Sequence, residues 1–220
     1  MRGLLCENDR AAGHNRRHFD LHQTLAINLM SSPGAGKTAL LEASIEALSA
    51  TFRIAVIVGD LETDNDARRI RAKGVPVVQI TTGSACHLDA AMVHDAWHQL
   101  RNEPVDLLFI ENVGNLVCPA SFALGQHADV ILLSVPEGDD KPAKYPVMFR
   151  CADLMLITKI DLLPYLADFV PERAQRYMNE IGNPAPTLAT SSRDGTGMDE
   201  WFGWLRRLHA AQGHPAEVAT

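Results

Sequence analysis

The chain has 220 residues, which is enough to bury a sizeable core within one domain, and its 46% hydrophobic and 21% charged residues are typical of globular proteins. Its formal net charge of -7 argues against an extended nucleic-acid-binding surface, which needs clustered Lys and Arg. No window approaches the roughly 18 consecutive apolar residues of a membrane span, and the N-terminus lacks the apolar core of a secretory signal. We therefore expect a cytoplasmic protein that binds neither nucleic acid nor membrane.

The predicted elements begin with a helix and continue as strands alternating with helical segments. We expect 1–22 to form a helical segment packed on the main domain. Six short apolar runs follow in order: LAINLM, RIAVIVGD, VPVVQI, DLLFIEN, DVILLSV and DLMLITK. Runs that are apolar on both faces suit strands buried between crossover helices. The predicted fold class is α/β, with a doubly wound, mostly parallel sheet and helices on both faces over 23–211, and 212–220 as a flexible tail.

The first apolar run leads into Ser31-Ser32-Pro33-Gly34-Ala35-Gly36-Lys37-Thr38. A nucleotide phosphate needs converging backbone N–H groups, a flexible cation and the positive end of a helix. The glycines permit the tight turn, Lys37 can reach the β- and γ-phosphates, and the Thr38 hydroxyl can bind magnesium. Ser31 breaks the pattern G-x-x-x-x-G-K-[ST], so a glycine-rich turn with a surface lysine is the alternative. We predict these nucleotide-binding residues: Ser32, Gly34, Ala35, Gly36, Lys37, Thr38 and Ala39.

Carboxylates follow two further predicted strands, at Asp60 and Asp66 after RIAVIVGD and at Glu111 after DLLFI. The carboxyl ends of strands are where open α/β sheets bind ligands, and phosphoryl transfer requires positioned Mg²⁺ and water. A single carboxylate in a solvated loop is the alternative for each, and Asp64 and Asp106 fit less clearly. As magnesium ligands we predict Thr38, Asp60, Asp66 and Glu111. As catalytic residues we predict Lys37, Asp66 and Glu111.

The sixth apolar run ends in Thr158-Lys159-Ile160-Asp161, which approximates the N-K-x-D guanine reader of GTPases. The Asp161 carboxylate can accept from the N1–H and the exocyclic amine of guanine, a donor pair that adenine lacks, so we predict GTP over ATP. Lys159 would cover the base with its aliphatic stem. Further on, Ser191, Ser192 and Arg193 begin a loop that resembles the serine-led segment closing over guanine. Either segment alone could be a solvated turn.

Cys86 and His87 are adjacent at a predicted helix start, and Cys118 follows the loop after Glu111. Two thiols and one imidazole form a plausible set for Zn²⁺ or Ni²⁺. A closed four-coordinate site would need another residue, a water or a second subunit. The alternative is a small buried thiol beside a surface imidazole.

Three histidines, His14, His18 and His22, recur every four residues and could align on one face of a helix. We interpret them as a solvated face rather than a metal store. Cys6 and Cys151 have no neighbouring metal-binding residues, so we assign them to packing.

In their chain order these motifs resemble the hydrogenase nickel-incorporation GTPases, the HypB family, from about Glu7 to Leu208. The blocks that carry the resemblance include NLMSSPGAGKT, GDLETDNDARRI, TTGSACHLDA, ENVGNLVCP and SSRDGTGMDEW. The resemblance implies a P-loop GTPase domain of the SIMIBI class that dimerises with bound GTP. It also implies nickel or zinc at Cys86, His87 and Cys118, and delivery of nickel to the [NiFe]-hydrogenase large subunit with a zinc-containing partner of the HypA family.

Ser31 and Thr158 are familiar in that family, whereas the N-terminus departs from some of its members. It has neither a Cys-rich nickel motif nor a long His-rich tract, so we do not expect nickel storage there. Two alternatives remain. One is a urease-accessory GTPase, which usually has Cys-Pro-His where Cys86 is followed directly by His87. The other is a GTP-binding metal carrier with negligible hydrolysis.

Overall fold

A parallel β-sheet forms the centre of the computed structural model, which describes residues 2–62, 64–83, 85–100 and 103–213. Within these ranges seven strands are hydrogen-bonded in the order β3-β2-β4-β1-β5-β6-β7. They are β1 (Leu25–Ser31), β2 (Ile54–Asp60), β3 (Val77–Thr81), β4 (Leu107–Glu111), β5 (Ala128–Ser134), β6 (Leu154–Thr158) and β7 (Thr187–Thr190). All neighbouring pairs are parallel. The six predicted strands are present, and β7 is an additional short edge strand.

Eight α-helices are assigned in the same ranges. They are α1 (Arg2–Leu21), α2 (Lys37–Leu48), α3 (Asn65–Arg71), α4 (Ala90–Leu100), α5 (Lys141–Lys144), α6 (Pro146–Arg150), α7 (Pro171–Glu180) and α8 (Met198–Ala211). Short 3₁₀ turns occupy Cys118–Ser121, Val135–Glu137 and Ile160–Tyr165. Among the helices described, none has both the length and the apolar character needed to cross a bilayer.

Hydrophobic cores lie on both faces of the sheet. Alternate β1 residues Leu25, Ile27 and Leu29 pack with α2, α3 and α8, whereas Ala26 packs on the opposite face with α1 and α4. A further core under α6 and α7 covers β5 and β6 on that second face. Strands buried on both faces are expected in a parallel sheet, because crossover helices cover each side. The doubly wound α/β prediction is confirmed.

The central position of β1 determines where a ligand can bind. The chain first winds from β1 to β2 and β3 on one side of the sheet, and later continues through β5, β6 and β7 on the other. Connections therefore diverge near β1 and leave a crevice at the carboxyl ends of the strands.

Helix α1 packs against α4. The buried Asn15 amide donates to the backbone oxygens of Ala90 at 2.8 Å and Leu124 at 3.0 Å. The rings of Phe19 and Trp97 meet edge to face at 5.3 Å. These contacts fix which face of α1 lies against α4.

The predicted solvated histidine face is confirmed for His14 and His22, which are exposed, and is wrong for His18, which is half-buried. The rings of His14 and His18 lie 5.0 and 5.6 Å from the ring of His94 in α4. Because α1 is anchored through Asn15 and Phe19, its histidine stripe turns toward α4 instead of away from it. His22 is exposed and contacts the edge of Trp97 at 5.7 Å.

Two other expectations concern the packing of thiols and the C-terminal tail. Cys6 and Cys151 are exposed, so their assignment to packing is wrong. Cys151 follows the end of α6, where its thiol donates to the backbone oxygen of Met148 at 2.9 Å.

Of the predicted tail, residues 214–220 lie outside the described residues.

Candidate nucleotide and metal site

The loop between β1 and α2 has the conformation of a phosphate cradle. Gly34 and Gly36 have φ values of +76° and +100°, in the left-handed region that favours glycine. Helix α2 begins at Lys37, so its positive end faces the loop. The Lys37 ammonium donates to the Ser31 hydroxyl at 2.9 Å. Ser31, the residue that breaks the usual pattern, therefore anchors the lysine.

Glu111, at the end of β4, lies beside this loop and is buried. The Thr38 hydroxyl donates to its Oε1 at 3.0 Å. Burial raises the pKa of Glu111 to about 7, against the opposing effect of the Lys37 charge. Burial also lowers the pKa of Lys37, while Glu111 acts to raise it. The two groups are thus placed where each offsets part of the other's desolvation.

The second oxygen of Glu111 fits a magnesium or water ligand. Oε2 is buried and accepts no hydrogen bond from any group that the structure describes. Buried polar atoms are nearly always satisfied by protein, water or an ion. Carboxylate and hydroxyl oxygens suit Mg²⁺, so Glu111 and Thr38 are compatible with the predicted role.

A cavity of about 420 Å³ brings together the four predicted magnesium ligands and five of the seven predicted phosphate-loop residues, without Ser32 and Ala35. Its walls include Gly34, Gly36, Lys37, Thr38, Ala39, Asp60, Asp66, Glu111 and Lys159. Arg69 also lines it, and its guanidinium pairs with Glu42 at 2.5 Å and Asp66 at 3.6 Å. Arg69 was not assigned a role from the sequence.

Asp64 and Asp106 are absent from this cavity wall. Asp64 accepts from Arg68 at 2.7 Å one turn along α3. Asp106 precedes β4 at the amino edge of the sheet, where it pairs with Arg53. Their weaker fit in sequence thus agrees with their positions.

A second cavity of about 280 Å³ adjoins the first and contains the predicted base-reading residues. Its walls are Ala35, Gly36, Ala39, Thr158, Lys159, Asp161, Leu162, Ser191, Ser192 and Arg193. The Ser191 hydroxyl donates to Asp161 Oδ1 at 2.9 Å and so orients the carboxylate. Arg193 Nη1 lies 3.8 Å from the same carboxylate, with 83% of its side chain exposed.

Lys159 and Thr158 tie the two cavities together. Lys159 adopts φ +60°, which directs its ammonium to the backbone oxygen of Gly34 at 2.6 Å. The Thr158 hydroxyl donates to the backbone oxygen of Ala35 at 2.7 Å. The loop predicted to read the base is thereby fastened to the loop predicted to hold the phosphates.

The predicted metal ligands converge although 31 residues separate the two cysteines in sequence. Cys86 Sγ lies 2.9 Å from Cys118 Sγ and 3.9 Å from His87 Nδ1, and the three donor atoms lie within 4.8 Å of one another. The His87 ring stacks on Phe122 at 3.9 Å. Burial lowers the pKa of His87, and hydrogen bonding with Cys86 raises the pKa of Cys118. The neutral imidazole keeps a lone pair for metal binding.

Asn112 links the two parts of the site and was not predicted as a site residue. It follows Glu111 and is fully buried. Its oxygen accepts from the backbone N–H of Leu88 at 3.2 Å, and its amide donates to Asn28 at 3.2 Å. Since Leu88 follows His87, one side chain connects the end of β4 to the loop that carries the predicted metal ligands Cys86 and His87. An asparagine directly after a predicted strand was the only sequence signal.

Asn115 and Glu137 are further residues that sequence reasoning missed. The Asn115 oxygen accepts from the backbone N–H of Cys118 at 3.4 Å. Glu137 contacts the Ser32 hydroxyl and accepts from the N–H and hydroxyl of Ser134 at 2.8 and 2.6 Å. The spacing from Ser134 to Glu137 is that of a capping box, so this pair was open to prediction from sequence.

Sequence comparison identifies the family. The model described as CobW/HypB/UreG, nucleotide-binding domain, matches residues 25–188. Hydrogenase maturation factor HypB of Azotobacter chroococcum mcd 1 is 52% identical over 209 residues, spanning 95% of this chain and 68% of the relative. The chain belongs to the HypB family of hydrogenase maturation factors. The resemblance drawn from the motifs is therefore confirmed.

Solved HypB structures agree with this assignment. The crystal structure of HypB from Helicobacter pylori in complex with nickel has a TM-score of 0.89 and 39% identity, covering 97% of this chain and 100% of that one. HypB from Archaeoglobus fulgidus has a TM-score of 0.85 and 38% identity, covering 93% and 99%. The nucleotide-binding fold of the HypB family thus extends over nearly the whole chain.

The close approach of Gly114 to the phosphate loop gives a testable consequence. A Cβ at Gly114 would lie 2.9 Å from Pro33 Cα, so alanine must displace the loop. We expect Gly114→Ala to weaken binding of a fluorescent GDP analogue roughly tenfold or more, because small displacements in such sites are costly. Gly13→Ala is the control, since its Cβ would meet only the end of Arg17 at 3.9 Å. Equal affinity of Gly114→Ala and wild type would contradict the interpretation.

Proposed function

We propose that this HypB-family chain is a GTP-hydrolysing metallochaperone. In this proposal it dimerises with GTP bound and gates the transfer of Ni²⁺ from Cys86, His87 and Cys118 toward the [NiFe]-hydrogenase large subunit, with a HypA-family protein as partner. The observation that carries the proposal is the short segment 111–118. It begins in the wall of the nucleotide cavity at Glu111 and ends at the metal ligand Cys118.

Guanine selection is assigned to Asp161. Its carboxylate lines the second cavity and is held by the Ser191 hydroxyl. The two carboxylate oxygens can accept from the N1–H and the exocyclic amine of guanine, whereas adenine would leave them without that donor pair. An unpaired polar group in a binding site is the main source of discrimination between such ligands. The side chains of Lys159 and Arg193 would lie against the base.

Phosphate binding and hydrolysis are assigned to the first cavity. The backbone of the loop and the start of α2 would hold the phosphates, and Lys37 would neutralise the charge on the β- and γ-oxygens. Thr38, Asp60, Asp66 and Glu111 would hold Mg²⁺, which neutralises phosphate charge when bound. Of these, Asp66 and Glu111 are the candidates to orient the attacking water. The Lys37 ammonium can stay charged in this buried position because Glu111 offsets part of the cost of burying the charge.

Coupling between nucleotide and metal is assigned to the segment 111–118. Gly114 packs on Pro33 of the phosphate loop, so the γ-phosphate can favour one arrangement of this segment. A shift of this segment would move the backbone beside His87 through the hydrogen bond between Asn112 and Leu88. It would also move Cys118 through the hydrogen bond between Asn115 and the Cys118 backbone N–H. Three ligands on one chain leave a fourth position open in a four-coordinate site. A second copy of the chain is our candidate for supplying that ligand or enclosing the metal.

The base assignment predicts a change of nucleotide preference. Asp161→Asn replaces an acceptor by a donor, so GTP affinity should fall roughly hundredfold or more, while xanthosine triphosphate, with a carbonyl in place of the amine, should bind better than GTP. Competition against a labelled nucleotide measures both affinities. Asp168→Asn, an exposed residue outside both cavity walls, is the matched control and should keep wild-type preference. Wild type that binds ATP as tightly as GTP would refute the assignment.

Turnover separates an enzyme from a GTP-binding carrier. We expect Lys37→Ala to reduce phosphate release from GTP by about a hundredfold or more, because it removes a cation aimed at the developing charge. Lys144→Ala removes an exposed lysine at the end of α5, whose ammonium pairs with Asp140 at 2.6 Å, and should leave the rate unchanged. If wild type bound GTP yet released phosphate no faster than Lys37→Ala, the carrier alternative would replace the GTPase.

Nucleotide should control both assembly and metal affinity. We expect a non-hydrolysable GTP analogue, but not GDP, to raise the dimer fraction and change Ni²⁺ affinity in wild type. Cys118→Ala should keep nucleotide binding and lose the metal response, whereas Cys151→Ala, at an exposed residue outside the donor set, should behave as wild type. Light scattering measures the mass, and a parallel calorimetric titration with Ni²⁺ measures the metal affinity. Unchanged dimerisation and unchanged metal affinity with the analogue would overturn the proposal.

A further inference from the structure

Four imidazole rings meet between helices α1 and α4, away from the Cys86, His87 and Cys118 triad. His14 and His18 come from one helix, and His94 and His98 come from the other. The ring centroids of His14 and His18 are 4.2 Å apart, and those of His94 and His98 are 4.3 Å apart. Spacing of four residues on each helix aligns each pair on one face, so the two faces meet as a cluster.

The donor atoms are close enough to share one cation. One ring nitrogen from each of His14, His18 and His94 lies within 4.8 Å of the other two. His94 Nε2 is also 2.9 Å from His98 Nε2. Zn–N bonds of about 2.0–2.1 Å in a tetrahedron place neighbouring nitrogens about 3.3 Å apart, so small rotations would bring these rings into coordination. His14 is exposed, which gives an ion access from solvent.

The buried Asn15 orients one of these rings for metal binding. Its amide nitrogen donates to two backbone oxygens, of Ala90 and Leu124, which fixes the side-chain oxygen toward His94 Nδ1 at 3.1 Å. Because that oxygen can only accept, neutral His94 carries its proton on Nδ1 and has its lone pair at Nε2, where it faces His98 Nε2 at 2.9 Å. Metal-binding histidines characteristically donate their other N–H to such a fixed acceptor.

We propose that His14, His18 and His94 form a second metal site, with His98 as an additional ligand, and that it binds a divalent cation of borderline softness such as Zn²⁺ or Ni²⁺. Neutral imidazoles suit these ions and are poor ligands for Mg²⁺ or Ca²⁺, which prefer carboxylate and carbonyl oxygens. A bound ion would join α1 to α4 through bonds from both helices. The site does not depend on the proposed function of the nucleotide and thiol residues.

The test removes the thiol site and titrates the remaining protein with Zn²⁺ alone. In a Cys86→Ser/Cys118→Ser background we expect one Zn²⁺ per chain, measured against a chromophoric chelator, and a rise in the thermal midpoint when Zn²⁺ is added. His14→Gln, at an exposed position, should weaken this binding at least tenfold and abolish the thermal shift. His94→Gln should do the same from the opposite helix.

His22→Gln is the matched control, because His22 is an exposed histidine one helical turn beyond His18 and outside the donor set. It should bind Zn²⁺ with the affinity of the background protein. The proposal is overturned if the background binds no Zn²⁺, if His14→Gln binds as tightly as the background, or if His22→Gln loses as much affinity as the cluster variants.

Discussion

The burial of Lys37 with Glu111 is the interaction on which the arrangement of the nucleotide site depends. An ammonium or a carboxylate alone would be costly at this depth, and together each offsets part of the other's desolvation. The Ser31 and Thr38 hydroxyls complete the set by bonding the lysine and the carboxylate, respectively. These contacts require the carboxyl ends of β1 and β4 to be neighbours, and the two strands do pair side by side, with Leu29 opposite Glu111.

The same strand order places three separate stretches of sequence around one crevice. Neighbouring β5 and β6 bring Glu137 and Lys159 to the phosphate loop, and β4 brings the segment 111–118. Asn112 is important here because its fully buried side chain bonds both to the central strand and to the loop that carries the thiol and imidazole ligands. The fold therefore offers a short, continuous route between two sites of different chemistry.

The α1–α4 contact shows the same use of a buried amide. Asn15 satisfies two backbone oxygens and one histidine, so it both anchors a helix and sets the orientation of a ring. Buried polar groups whose hydrogen bonds are satisfied make the packing around them rigid and specific. In this chain Asn112 and Asn15 lie at the two places where candidate metal ligands from distant segments converge.

The sequence by itself determined the sheet strands with continuous apolar runs, the phosphate loop and the family. Those features are visible in adjacent residues, because a strand buried on both faces needs a continuous apolar run and a left-handed turn favours glycine. It missed β7, which is four residues long and only partly buried. It also misjudged His18, because the direction of a helical face is set by the helix packed against it. Only the tertiary structure decided that Asn112 joins nucleotide and metal loops and that four histidines meet, since both facts depend on contacts between elements far apart in the chain.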